Sequence, residues 1–104
     1  MSMKPIHDVP PPVLEDEKLV ARSRTGDVGA FRSIAMRYYS LIYTMAYEAT
    51  GNSNQSDDLA RDTFLAAWRR LSDSREPIKL RSWLCALARE LKDDCLRHRG
   101  GHPV

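Results

Sequence analysis

The chain has 104 residues, a net charge of +2, 42% hydrophobic residues and 29% charged residues, which together predict a single soluble domain. No apolar run approaches the roughly 20 residues that a membrane-spanning helix needs. Residues 1–14 also lack the apolar core of a signal peptide. We therefore expect a cytoplasmic protein without membrane insertion.

Charge is unevenly distributed along the chain. Residues 1–68 contain seven Lys/Arg and nine Asp/Glu, whereas residues 69–104 contain nine Lys/Arg and five Asp/Glu. An acidic front and a basic back suggest two different partner surfaces. The two cysteines, Cys85 and Cys95, would lie roughly 15 Å apart on one helix, too far for a disulfide, so we interpret them as packing residues.

The first half of the chain predicts a leader and two helices. Residues 1–14 contain four prolines and are expected to be extended or disordered. The first helix is predicted over residues 15–24, and Gly26 and Asp27 suit its end and the next N-cap. The second helix ends at Gly51, and its apolar stripe recurs at three- and four-residue steps: Phe31, Ile34, Ala35, Tyr38, Ile42, Met45, Ala46 and Ala49.

The second half predicts two more helices. The third is expected over residues 57–71, with acids in its first turns and Arg69 and Arg70 at its end, as the helix dipole favours. Pro77 ends helical structure in the following loop, residues 72–78. The fourth helix is predicted over residues 79–99, with residues 100–104 as a linker or tail; its inner stripe is Leu80, Leu84, Leu87, Leu91 and Cys95. The sequence thus predicts an all-α bundle of about four helices over residues 15–99.

No motif of a catalytic site is present: the chain has no P-loop, no GxGxxG, no GxSxG and no HExxH. We expect neither an enzyme nor a cofactor. Cys95, His98 and His102 form a C-x2-H-x3-H pattern, but a zinc site usually needs four ligands and no fourth lies near. A helical-bundle metalloenzyme is therefore the least supported alternative, and we predict no metal site.

An ordered series of short motifs is the most specific feature of the sequence. These motifs are D-x2-LV starting at Asp16, GD-x2-AF ending at Phe31, RYY starting at Arg37, DL-x2-D-x-FL-x-AW-x2-L from Asp58 to Leu71, and WL-x2-LAR from Trp83 to Arg89. The series resembles region 2 of bacterial RNA polymerase sigma factors, in particular the extracytoplasmic-function (ECF) group. The resemblance covers roughly residues 16–99 and implies a transcription-initiation module with RNA polymerase core and promoter DNA as partners.

Residues 58–64 resemble the family's DLTQEVF motif, which docks on the coiled coil of the polymerase β′ subunit. On a helix, Leu59, Thr63, Ala67 and Trp68 can face inward. The side chains left facing outward, which we call the outer strip, are Asp58, Arg61, Asp62, Leu65 and Arg69. An exposed apolar residue between charges of both signs suits a protein interface with a polar rim.

The loop of residues 72–78 and the fourth helix resemble the part of the family that opens and reads the promoter −10 element. There, a base of the non-template strand enters a pocket while cations hold phosphates. The resemblance implies that DNA is bound by Arg75, Lys79, Arg81, Trp83, Arg89, Glu90, Lys92 and Arg97. From the residues alone, Trp83 suits both stacking on a base and packing in the core.

Departures from the family pattern leave a second hypothesis open. Arg61 and Asp62 replace the usual Gln and Glu, and residues 74–77 read SREP where the family commonly has FRGD. Glu90 replaces an Asn; it could accept from a cytosine amino group but repels phosphates. The alternative is a degenerate sigma-like module, bound by an anti-sigma factor, that does not open promoters. No residues for region 4 follow, so we expect a fragment of a longer sigma factor, and a monomer.

Overall fold

Four helices make up the regular structure of the computed structural model, which describes the backbone of residues 11–100 and the side chains of residues 15–94. They are α1 (Pro11–Arg24), α2 (Val28–Thr50), α3 (Ser53–Asp73) and α4 (Leu80–Gly100). Residues 11–100 contain no strand. The predicted all-α class and the number of helices are confirmed, while residues 1–10 and 101–104 lie outside the described part.

Two helices begin four residues earlier than predicted. α1 starts at Pro11, inside the segment predicted to be extended. Proline is tolerated there because the backbone N–H groups of the first helical turn have no acceptor within the helix. α3 starts at Ser53 because the Asn52 side chain caps it, with Oδ1 accepting from the Gln55 amide at 2.9 Å. Asp57 therefore lies in the second turn of α3, and the first turn contains no acidic residue.

The two tight turns follow from single residues that the sequence had indicated. Gly26 (φ 96°) and Gly51 (φ 66°) take left-handed conformations that favour glycine, and the Gly51 amide closes α2 by donating to Tyr47 O at 2.8 Å. Asp27 caps α2 by accepting from the Ala30 amide at 3.0 Å. This bond and the Arg22 guanidinium lower the pKa of the Asp27 carboxyl.

α2 lies at the centre of the bundle and packs against the other three helices. Its predicted stripe is confirmed: Ile34 and Ile42 are fully buried, and Tyr38 and Ala46 are nearly so. From α3 and α4 the core receives Ala60, Phe64, Ala67, Leu71, Leu80, Leu84, Leu87 and Ala88. Cys85 packs against this core as a free cysteine, as predicted, whereas the Cys95 side chain lies outside the described residues. The packing leaves one face of α3 and much of α4 open to solvent.

Candidate functional surfaces

The outer strip of α3 is open to solvent along its length. All five of its predicted members are exposed, and the apolar Leu65 is 53% exposed. Leu59, Thr63 and Ala67 are buried and Trp68 is half-buried, as predicted. The division of α3 into an inner and an outer face is therefore confirmed.

An apolar groove of about 330 Å³ runs beside the outer strip, between α2 and α3. Its lining consists of Val28, Phe31, Arg61, Phe64, Leu65 and Trp68. Val28 is 60% exposed, and the ring centroids of Phe31 and Trp68 lie 5.2 Å apart in an edge-to-face arrangement. Apolar surface left open next to charged side chains suits a protein partner.

The sequence reading missed the contribution of α2 to this groove. Phe31 was assigned to the core stripe, and Val28 was not singled out. One signal was available, because Val28 is an apolar residue in the first turn of α2, three residues before Phe31 and on the same helix face.

Arg61, which replaces a neutral amide of the family motif, forms an ion pair on its own helix. Its Nη2 lies 2.5 Å from Asp57 Oδ2, one turn earlier. Asp57 also accepts a hydrogen bond from the Tyr39 hydroxyl. The added positive charge on the outer strip is therefore partly compensated by Asp57, a residue outside the strip.

A second concave surface, which we call the loop cleft, lies where α3 passes into α4. It measures about 590 Å³. Its lining consists of Arg24, Arg70, Asp73, Ser74, Glu76, Pro77, Ile78, Lys79, Ser82 and Trp83. The lining of the cleft itself carries charges of both signs, whereas Arg61 is the charged residue in the lining of the apolar groove.

Trp83 lies between the core and the loop cleft. It is half-buried against the core and also lines the loop cleft together with Lys79. The loop is held from α1, where Arg24 Nη2 donates to Glu76 O at 2.5 Å. Arg24 lies 52 residues before Glu76 in the chain, so no local pattern could have indicated this contact.

Three of the remaining predicted DNA-binding cations lie on a different side of α4 from Trp83. Arg81, Arg89 and Lys92 share a side at 100° per residue, away from Trp83. Arg81 lines another cavity, with Asp16, Tyr38 and other residues, instead of the loop cleft. Arg75 is exposed in the loop, and the side chain of Arg97 lies outside the described residues. Lys79 lines both cavities, so the structure brings it together with Trp83 in the loop cleft and with Arg81 in the other cavity, while Trp83 and Arg81 line different ones.

Glu90 is paired with a residue that the sequence reading had not assigned to this surface. Arg70 Nη1 and Nη2 lie 3.1 and 3.3 Å from Glu90 Oε1 and Oε2, which makes a two-pronged contact between α3 and α4. Arg70 also lines the loop cleft. The carboxylate of Glu90 is therefore not an isolated negative charge.

A polar cluster attaches α1 to α2. The nearly buried Asp16 accepts from the Tyr38 hydroxyl, and Arg37 Nη2 lies 2.6 Å from Glu15 Oε1. Arg37 Nε is 3.5 Å from Asp16 Oδ1, an electrostatic contact without good hydrogen-bond geometry. Burial, followed by the bond to Asp16, raises the pKa of Tyr38 to about 12.

Two further expectations concern metals and membranes. Among residues 15–94, His, Cys, Asp and Glu side chains form no group of three that could hold a metal ion. The side chains of Cys95, His98 and His102 lie outside that part of the chain. Within the described helices, none is long and apolar enough to cross a membrane.

Comparisons with known proteins agree with the fold. The family described as Sigma-70 region 2 matches residues 34–101. The ECF RNA polymerase sigma factor SigW of Bacillus subtilis is 28% identical over 83 residues, which are 80% of this chain and 44% of that protein. The RNA polymerase sigma factor NccH of Alcaligenes xylosoxydans xylosoxydans is 31% identical over 84 residues, 81% of this chain and 45% of that protein.

For a third relative, the aligned residues are a smaller share of both proteins. The ECF RNA polymerase sigma factor BldN of Streptomyces coelicolor is 31% identical over 78 residues, 74% of this chain and 30% of that protein. The chain thus spans less than half the length of these relatives. The match to the family covers most of α2 and all of α3 and α4, which include the outer strip and the residues of the loop cleft except Arg24. The chain belongs to the sigma-70 region 2 family.

Proposed function

We propose that this chain is the region 2 module of an ECF sigma factor and directs RNA polymerase to promoters. In this role the outer strip of α3 binds the β′ coiled coil of the core enzyme, and the loop cleft with α4 binds the non-template strand of the −10 element. The module binds and positions its partners without catalysing a reaction.

Exposed apolar surface on α3 is the observation that carries the docking half of the proposal. Leu65 is half-exposed between Asp62 and Arg69, and the apolar groove continues its surface toward α2. A central apolar anchor with a charged rim is the usual composition of a specific protein interface. The family motif lies on this same helix, which supports the β′ coiled coil as the partner.

The docking half is tested by capture of the purified protein on an immobilised β′ coiled coil. Reversal of charge in the strip by Asp62→Arg is expected to reduce capture at least about tenfold, because a rim acid is replaced beside Arg61 and Arg69. Glu17→Arg, an equal charge reversal on exposed α1, serves as the control and is expected to retain capture. Equal capture of wild type and Asp62→Arg would overturn the assignment.

The strand-binding half rests on Lys79 and Trp83 at the loop cleft. A cation beside an aromatic ring is the combination that binds phosphate and stacks on an unpaired base. We expect a fluorescent single-stranded −10 oligonucleotide to bind, with affinity that falls as salt rises because phosphate neutralisation releases counterions. Binding that is independent of salt, or no binding at low salt, would contradict this half.

A degenerate interaction module is the second candidate function. The acids Asp73 and Glu76 line the loop cleft, and Glu76, followed by Pro77, stands where the family has a flexible glycine. These residues favour a protein that still binds its partner through α3 and is itself bound by an anti-sigma factor. Such a protein would no longer open DNA. Normal β′ capture without strand binding would select this candidate over the first.

A further inference from the structure

The contact between Arg70 and Glu90 joins α3 to α4 beside the loop cleft. Two guanidinium nitrogens face two carboxylate oxygens at 3.1 and 3.3 Å, and the side chains are 50% and 53% exposed. The parallel two-bond geometry fixes the direction of both groups as well as their charge. Both side chains remain accessible to a ligand from solvent.

The location of the pair relates it to nucleic-acid binding. Arg70 lines the loop cleft, and Glu90 lies seven residues after Trp83, about two turns further along the same side of α4. A strand whose base stacks at Trp83 would run past Glu90. An unpaired carboxylate there would repel the phosphates of that strand.

We infer that Arg70 is a positioning residue for strand binding, which neutralises the Glu90 carboxylate and holds it in a fixed direction. This inference rests on the proposed strand-binding function. Glu90 thereby becomes compatible with a phosphate-binding surface, and its free oxygen lone pairs remain available to accept from a base amino group.

Other nearby cations do not replace Arg70 in this role. Arg24 Nη2 is bonded to the Glu76 carbonyl, and Arg75 Nη1 lies 3.4 Å from the Ser72 carbonyl. Arg89 precedes Glu90 directly, and adjacent residues on a helix point in different directions. Arg70 is the cation placed opposite Glu90 in the described part of the chain.

The inference is tested by a double-mutant cycle on binding of a fluorescent single-stranded −10 oligonucleotide. The proteins are wild type, Arg70→Ala, Glu90→Gln and the double variant. Arg70→Ala is expected to weaken binding about fivefold when Glu90 is present and less than about twofold when glutamine replaces it. The effects of substitutions at two residues in direct contact are commonly non-additive in this way. Arg70→Lys, which keeps the charge but loses the two-pronged geometry, is expected to fall between wild type and Arg70→Ala.

The controls separate this role from net charge and from folding. Arg32→Ala removes one positive charge from exposed α2, outside the lining of the cleft, and is expected to change binding by less than about twofold at moderate salt. The salt dependence gives an independent readout, since the Glu90 carboxylate exposed by Arg70→Ala should offset about one phosphate contact and flatten the log–log slope by about 0.7. A purely structural role would leave that slope unchanged.

Two results would overturn the inference, and they have different meanings. An equal loss from Arg70→Ala in the wild-type and Glu90→Gln backgrounds would reject the coupling while leaving strand binding intact. Absence of strand binding by the wild-type protein would instead reject the strand-binding half of the proposed function, and the inference with it.

Discussion

The outer strip and the loop cleft differ in how the chain builds them. The outer strip lies on a single helix, beside an apolar groove of about 330 Å³, and the ion pair of Arg61 is formed within α3. The loop cleft draws residues from α1, α3, α4 and the loop between α3 and α4, and its Arg24 and Arg70 make their contacts with other elements. A surface on one helix can be read from local sequence, whereas a surface assembled from several elements depends on tertiary contacts.

The first prediction contrasts Leu84, a buried leucine of α4, with Leu65, the exposed leucine of the outer strip. Leu84→Ala is expected to lower the free energy of unfolding by about 3 kcal/mol, because Leu84 is fully buried and its loss leaves a cavity in the core. Leu65→Ala should change it by less than about 0.5 kcal/mol, as for other exposed positions. Urea denaturation measures both, and similar losses would contradict the exposure of Leu65.

The second prediction tests whether the two surfaces act independently. Leu65→Ala is expected to weaken binding to the β′ coiled coil about tenfold, because truncation of a central apolar anchor commonly costs more than about 1 kcal/mol. The same variant should bind the −10 oligonucleotide within about twofold of wild type, because Leu65 lies outside the loop cleft. Titration calorimetry and fluorescence anisotropy give the two affinities, and parallel losses in both would indicate one continuous surface.

The third prediction concerns the start of the helix that carries the outer strip. Asn52→Ala removes the side-chain oxygen that caps α3 and should cost about 1 kcal/mol of stability. Asn52→Gly is the control and should cost only a few tenths, since glycine is tolerated at this position. Thermal unfolding distinguishes them, and an Ala variant as stable as wild type would reject the observed start of α3 at Ser53.

The fourth prediction has the smallest effect at neutral pH. It concerns Tyr38, whose hydroxyl donates to Asp16 and attaches α1 to α2. Because folding raises the pKa of Tyr38 to about 12 from an ordinary value of about 10, the neutral phenol stabilises the fold. This contribution is complete below about pH 10 and is lost as pH rises toward about 12. Unfolding measurements across that window should show a loss in wild type that is smaller in Tyr38→Phe; an identical pH profile for both would contradict it.

The turns and the inner faces could be predicted because single residues specify them. Asp27, Gly26 and Gly51 took the roles that their side chains or conformational freedom favour, and Leu65 was correctly assigned to the solvent-exposed face. The start of α1 was missed because proline was read as ending regular structure, although it also suits a first helical turn.

The unpredicted parts of the candidate site depend on residues far apart in sequence. The contact of Arg24 with the Glu76 carbonyl spans 52 residues, and the pair of Arg70 and Glu90 spans 20. The apolar groove similarly needs Val28 to lie beside α3. Periodicity describes one helix at a time, so it carries no information about which side chains meet between helices.

The placement of the two tryptophans gives each surface its own optical reporter. Trp68 lies in the apolar groove and Trp83 in the loop cleft, and both indoles are half-buried. They are the chain's two tryptophans, so replacing either with phenylalanine leaves a protein whose indole emission comes from a single surface. Arrival of the polymerase fragment and of the DNA strand could then be followed separately, in real time and without an attached dye, which would establish the order in which the module engages its partners.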